Sequence, residues 1–297
     1  MKFRNKDFDL NKFILWSAAE LADKTNSSAL LVYIDDIELD EILLEIAKDF
    51  SLVVLTRNSK VHEKMEKEGV KVLYVPNVKL NRMGQVKVSV MMALSSGLIG
   101  VKDNVVTVSG RAEEGILDSM IFLDLENERS ILSASDIPTI SDNLSATLFE
   151  AVLNLAVELA NQGREGKPVG AIFVIGDNEK VLPLTRQLIR NPFKGYTDDE
   201  RSVFDPELQE TLKEFSTIDG AFIIDSKGTV ISAGTYLSAA LSLGKDDFPQ
   251  GLGSRHIAAA GITSLTESTA IVISESTGTV RIFKHGEIFM EIERSMK

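Results

Sequence analysis

Phe215-Ser216-Thr217-Ile218-Asp219-Gly220-Ala221-Phe222-Ile223-Ile224-Asp225 opens the stretch around which the second half of the chain is organised. An Asp-Gly pair precedes the apolar run Ala221 to Ile224, which suits a buried strand. The tight turn Asp225-Ser226-Lys227-Gly228 then leads into Thr229 to Ala233, so the two runs pair as a hairpin. Further on, Gly251-Leu252-Gly253-Ser254-Arg255-His256 enters the helix-prone Ile257-Ala258-Ala259-Ala260. A glycine-rich turn feeding a helix start is a seat for phosphate, because backbone N–H groups and the positive end of the helix dipole point the same way. Ala270-Ile271-Val272-Ile273-Ser274-Glu275 is another β-branched strand, and it ends in a carboxylate. One carboxylate at a strand start, an Arg–His clamp and a second carboxylate suit a divalent metal holding a nucleoside triphosphate.

Outward from this stretch, Ser141-Asp142 can cap a helix whose apolar positions Leu144, Leu148, Val152, Leu155 and Leu159 are spaced by three and four. The turn cluster Gly163-Arg164-Glu165-Gly166-Lys167-Pro168 ends it, and Val169 to Ile175 follows as a strand closed by Gly176-Asp177. Asp205-Pro206 starts a further helix, and Val280 to Lys284 and Ile288 to Ile292 are the last strands. The polar, broken segment 127–141 is the expected linker between a domain of residues 1–126 and one of residues 142–297.

In the first half, helical spacing over residues 11–24, 39–50, 60–68 and 83–96 alternates with short apolar runs at Ala29–Ile34, Leu52–Thr56, Val70–Val75 and Asn104–Gly110. Strands alternating with helices predict a parallel sheet covered on both faces. The expected fold class is therefore α/β throughout, a parallel-sheet domain followed by a mixed-sheet one.

Composition bounds the function. The 297 residues carry a formal net charge of −12, which argues against a nucleic-acid partner. There is no cysteine, hence no disulfide, thiolate nucleophile or Cys-based zinc site. No signal-type segment follows the charged start, and no apolar run is long enough to span a bilayer, so no membrane partner and a cytoplasmic location are expected.

Residues 10–125 resemble the C-terminal α/β domain of pyruvate kinase, on Ala18-Ala19-Glu20-Leu21-Ala22, Val53-Val54-Leu55-Thr56, Gly69-Val70-Lys71-Val72 and Asp103-Asn104-Val105-Val106-Thr107-Val108-Ser109-Gly110. The resemblance implies a fold, and at most an effector or assembly role. Residues 145–294 resemble the diadenylate cyclase domain, the catalytic N-terminal domain of DisA. The matching motifs occur in order: Glu158-Leu159-Ala160, Gly163 to Gly170, Asn191-Pro192-Phe193, Asp219-Gly220-Ala221, Ala233-Gly234-Thr235-Tyr236-Leu237, Gly253-Ser254-Arg255-His256 and Val272-Ile273-Ser274-Glu275. The combination of the two halves is similar to the archaeal diadenylate cyclases.

That resemblance implies condensation of two ATP into cyclic di-AMP and two pyrophosphates, by two domains of a homo-oligomer facing each other. It implies Asp219 as ligand of Mg²⁺ or Mn²⁺, with Glu275 as a second metal ligand. Arg255 and His256 would grip phosphate, with Gly253, Ser254 and Ser274 beside the nucleotide. Gly220 and Ala221 would let it approach, and Tyr236 and Leu237 would pack on adenine. The family's Arg-His-Arg motif is incomplete, since Ile257 stands at its third position; Lys245, Arg281 or Lys284 could supply the cation. The alternative function is a sensor that binds ATP or cyclic di-AMP without turnover, and a third is an assembly scaffold. Asp-Gly pairs alone are turn formers, and His62 and His285 read as surface residues.

Overall fold

The computed structural model describes residues 9–35, 40–75, 80–111, 114–127, 144–238 and 253–293. Gly251, Lys245, most of the expected linker and the Ser141-Asp142 cap lie outside them. Two compact units divide near residue 129.

In the first unit the chain runs α1 (Leu10–Lys24), β1 (Ala29–Tyr33), α2 (Asp40–Asp49), β2 (Leu52–Thr56), α3 (Ser59–Lys67), β3 (Lys71–Tyr74), α4 (Arg82–Ser95), β4 (Asn104–Arg111) and β5 (Ile116–Asp124). Asp9, Asn58 and Asn81 cap α1, α3 and α4 through their side-chain oxygens. The sheet order is β3-β2-β1-β4-β5. The first four strands are parallel, and β1 and β2 are buried along their whole length, as strands covered on both faces must be. Leu15, Ala18, Leu43 and Met65 from the helices fill one face against Leu30, Val32, Val54 and Val106. The edge strand β5 is antiparallel to β4 and was not expected from the sequence. Its Met120 and Phe122 remain exposed, so its pattern is blurred where a half-covered strand should alternate cleanly.

The second unit runs α5 (Ala146–Gln162), β6 (Ala171–Ile175), α6 (Asn178–Val181), β7 (Thr185–Gln187), α7 (Pro206–Phe215), β8 (Ala221–Ile224), β9 (Val230–Leu237), α8 (Ser254–Leu265), β10 (Thr269–Ile273), β11 (Val280–Lys284) and β12 (Glu287–Ile292). Ser145 caps α5, its Oγ accepting from the Leu148 N–H at 3.2 Å. The sheet is mixed, in the order β12-β11-β10-β6-β8-β9-β7. β6 and β8 are parallel, and every other neighbouring pair is antiparallel. Ala259, Ala260 and Ile262 of α8 pack on Ile172, Val174, Ile223 and Val272. Phe173 and Phe222 alternate to the opposite face and stack with centroids 5.0 Å apart.

This register fixes one end of the sheet. Because β6 and β8 are parallel, the residues before them, Gly170 and Asp219-Gly220, emerge side by side. β10 and β9 run the other way, so their last residues arrive at the same end: Ile273 pairs with Ala171, and Thr235 with Ala221. Glu275, Tyr236 and the start of α8 therefore gather where Asp219 begins its strand.

Candidate active site

Arg255, in the first turn of α8, joins the two carboxylates of that sheet end. Its Nη2 donates to Asp219 Oδ1 at 3.1 Å and its Nη1 to Glu275 Oε2 at 3.0 Å. The three side chains are 29%, 87% and 59% exposed, so this bridge is open to solvent and adds little to stability. Gly170 makes it possible: a Cβ there would lie 2.7 Å from Arg255 Nη1 and 3.0 Å from Glu275 Cβ. A glycine inside the expected strand Val169 to Ile175 is the trace this close approach leaves in the sequence.

The bridge stands where two cavities meet, and Ser254 and Arg255 line both. The smaller, about 320 Å³, is walled by Ile172, Leu188, Tyr236, Leu237 and Ala258, with Asp219-Gly220-Ala221 at its side. Its lining mixes apolar and polar groups and has one aromatic flank, where Arg186 lies 4.7 Å from the Tyr236 ring centroid. The larger, about 720 Å³, is lined by Lys167, Gly253, His256, Ser274, Glu275 and Arg281. The first suits a flat heterocycle and the second a polyanion. Leu188, Ala258, Lys167 and Arg281 were not among the expected site residues, although Arg281 was one of three candidates for the missing cation.

Several expected residues take places different from those anticipated. His256 is not a second exposed cation beside Arg255. It is 5% exposed, and its Nε2 lies 2.9 Å from Nη1 of Arg281. A guanidinium only donates, so Nε2 must carry the lone pair and the ring proton sits on Nδ1, a buried atom on the side of the Gly253 backbone. Burial, followed by the Arg281 charge, pushes the His256 pKa down to about 4, so the ring is neutral at neutral pH. Gly220, which lines the smaller cavity, is also required by its own backbone. Its φ is +116°, and a Cβ would stand 2.5 Å from the Thr235 nitrogen and 2.6 Å from the Gly234 carbonyl carbon. Ala221 and Leu237 are buried in the sheet, whereas Tyr236 is half-exposed. Ser274 is buried, its Oγ 3.3 Å from that of Ser276. Of the two other histidines, His62 stacks on Tyr74 with centroids 4.0 Å apart, and His285 is exposed in the β11–β12 turn.

Among the described residues, no group of three or more His, Cys, Asp or Glu side chains is placed to hold a metal. Nor is any helix there long and apolar enough to cross a membrane.

Comparison with known proteins follows this division of the chain. Residues 158–288 match the family model described as DisA bacterial checkpoint controller nucleotide-binding, and residues 10–132 match the one described as Probable sensor domain DacZ_P. A diadenylate cyclase of Methanocaldococcus jannaschii is 32% identical over 304 residues, covering 95% of this chain and 96% of that protein. The chain belongs to the diadenylate cyclase family. It is thus an enzyme of the nucleotidyltransferase class. Another diadenylate cyclase, from Haloferax volcanii, is 46% identical over 142 residues, 48% of this chain and 51% of that one. Among solved structures, DacA from Staphylococcus aureus aligns with a TM-score of 0.33 and 21% identity, over 50% of this chain and 87% of that one.

Proposed function

We propose that the second unit condenses two ATP molecules into 3′,5′-linked cyclic di-AMP and two pyrophosphates. The observation that carries this reading is the Asp219–Arg255–Glu275 bridge at the junction of a smaller cavity flanked by Tyr236 with a larger one lined by Lys167 and Arg281. Adenine enters the smaller cavity beside Tyr236, and the triphosphate runs past Arg255 and Ser254 into the larger. The α-phosphate then lies at the junction.

Asp219 and Glu275 are the residues that would hold Mg²⁺ or Mn²⁺. Two exposed carboxylates alone make an incomplete cage, and this donor set fits a hard cation that shares its shell with phosphate oxygens. When bound, the metal neutralises charge on the α-phosphate and favours the attacking hydroxyl. Arg255, released from the carboxylates, turns its fork to phosphate oxygens. The α8 N-terminus, whose cap Gly253 offers no side-chain bond, leaves backbone N–H groups for the same anion.

One copy of the chain positions one nucleotide. In the ring-closing reaction each 3′-oxygen forms a bond to the α-phosphorus of the other ATP, and the α–β bridging P–O bond breaks to release pyrophosphate. Two copies must therefore face each other, and the highly exposed Asp219 stands on the rim they would share. Purified full-length protein, incubated with ATP and Mg²⁺ or Mn²⁺, should yield cyclic di-AMP by mass spectrometry. Absence of product with every metal tried would sink the reading. A nucleotide-dependent rise in melting temperature without pyrophosphate release would assign the sensor role instead.

A further inference from the structure

The triphosphate tail needs more positive charge than α8 provides. Arg255 is shared between two carboxylates, His256 is neutral, and Ile257 brings no charge at all. A second cation comes from another element. Arg281 on β11 points into the larger cavity with its side chain only 16% exposed. Its Nε and Nη2 donate to the two oxygens of Glu291, directly opposite on β12, at 2.8 and 3.0 Å, and its Nη1 donates to His256 at 2.9 Å. Those three bonds fix the plane of the guanidinium while leaving two of its five N–H donors without a partner among the described residues. His256, against which the guanidinium rests, lines the same cavity.

A pair that served only to join β11 to β12 would gain nothing from facing a cavity or from burying a guanidinium against an imidazole. Glu291 compensates the guanidinium charge along one edge only, so the remaining N–H groups of this cavity-lining side chain are available to a second anion. Of the other lysines that could stand in, Lys284 already donates its Nζ to the Glu267 carbonyl, and Lys167 lies exposed at the cavity mouth on a flexible stem. We propose that Arg281 is the second cation of the site, gripping the β- and γ-phosphates of ATP and the pyrophosphate released from it, in place of the arginine that α8 lacks at Ile257. The proposal rests on the cyclase reading above. Glu291 acts as the positioning residue, holding the fork rigid and tempering its charge so that pyrophosphate can leave.

Calorimetry on the full chain in Mg²⁺ tests this, with ATP, inorganic pyrophosphate and AMP as the three probes. Arg281→Gln should weaken ATP and pyrophosphate about ten- to a hundredfold, the range of a charge-assisted contact, and leave AMP within about twofold. Glu291→Gln, which keeps the arginine, should tighten pyrophosphate about threefold by removing the competing carboxylate. If Arg281→Gln fails to fold by circular dichroism, the Glu291→Gln titration decides alone, and unchanged or weaker pyrophosphate binding overturns the proposal. Equal pyrophosphate affinity in Arg281→Gln and wild type overturns it while leaving the cyclase reading intact, as does an equal loss for AMP. Wild-type protein that binds neither ATP nor pyrophosphate overturns both.

Discussion

The Asp35–Arg57 cluster of the first unit and the Asp219–Arg255–Glu275 cluster of the second both join arginine to carboxylate at strand ends, and they differ in burial and in how many hydrogen bonds they complete. In the first unit Asp35, just beyond β1, accepts from the Arg57 backbone N–H at 2.7 Å, from Thr56 Oγ1 at 3.1 Å, and from Arg57 Nε and Nη2 at 2.8 and 2.6 Å. Both side chains are largely buried, at 15% and 16% exposure. Asn58 closes the knot by donating to the Asp35 carbonyl at 3.0 Å. In the second unit Arg255 makes one bond to each of two exposed carboxylates and leaves most of their lone pairs to solvent. The first cluster has spent its hydrogen-bonding capacity on holding β1 to β2. The second leaves most of its capacity unspent.

The largest expected consequence is catalytic. Asp219→Asn should lower cyclic di-AMP formation about a thousandfold, since a metal-held charge is worth several kcal/mol in the transition state. Its denaturation midpoint should match wild type, because the side chain is 87% exposed. Substantial turnover in that variant would remove Asp219 from the metal role.

Asp35→Ala should do the reverse, costing about 3 kcal/mol in urea unfolding by removing the acceptor of two Arg57 side-chain N–H groups, the Arg57 backbone N–H and the Thr56 hydroxyl. Turnover per folded molecule should not change. A stability loss near zero would break the contrast between the clusters.

His256 and Arg281 fall between these extremes, and pH separates them from both. The folded-state pKa of His256, about 4, lies below the ordinary histidine value of 6.5, so the unfolded chain takes up a proton first. The stability this neutral ring contributes is complete above the unfolded pKa and is lost as pH falls through the window towards 4. From about pH 7 to about pH 5 the loss should be roughly 2 kcal/mol. The difference in unfolding free energy between wild type and His256→Gln, followed across that window, should shrink by that amount; a constant difference would refute the neutral assignment.

The smallest effect belongs to Gly170→Ala. The atoms a new Cβ would crowd are mainly the end of the Arg255 side chain, which can swing away. Stability should hold, whereas ATP affinity should fall about fivefold as the fork is displaced, a cost near 1 kcal/mol. Binding measured by calorimetry, with unfolding as the control, distinguishes this from damage to the strand.

Much of the second unit was legible because its punctuation is local. The β8–β9 turn is written in Asp225, whose Oδ1 accepts from the N–H groups of Lys227 and Thr229 at 2.9 and 2.8 Å. The start of α7 is written in Asp205 before a proline. What stayed hidden depends on residues distant in sequence. The charge state of His256 is set by Arg281 and by burial, and neither shows in Ser254-Arg255-His256. The demand for glycine at position 220 comes from Gly234 across the hairpin, whose own φ is +60°. Arg281 did leave a trace: a lone cation inside Val280-Arg281-Ile282-Phe283, where a strand of this kind needs a reason to hold one. β7, with three residues, is too short for any period to register.

Because one guanidinium straddles Asp219 and Glu275, occupancy of the carboxylates and occupancy of the arginine are a single exchange. On the proposed reading, a divalent ion claiming the acids would set the arginine loose for phosphate, and a phosphate capturing the arginine would bare the acids for the ion. Each guest would then improve the other's affinity by the same factor, and metal and nucleotide would enter as a mutually reinforcing pair.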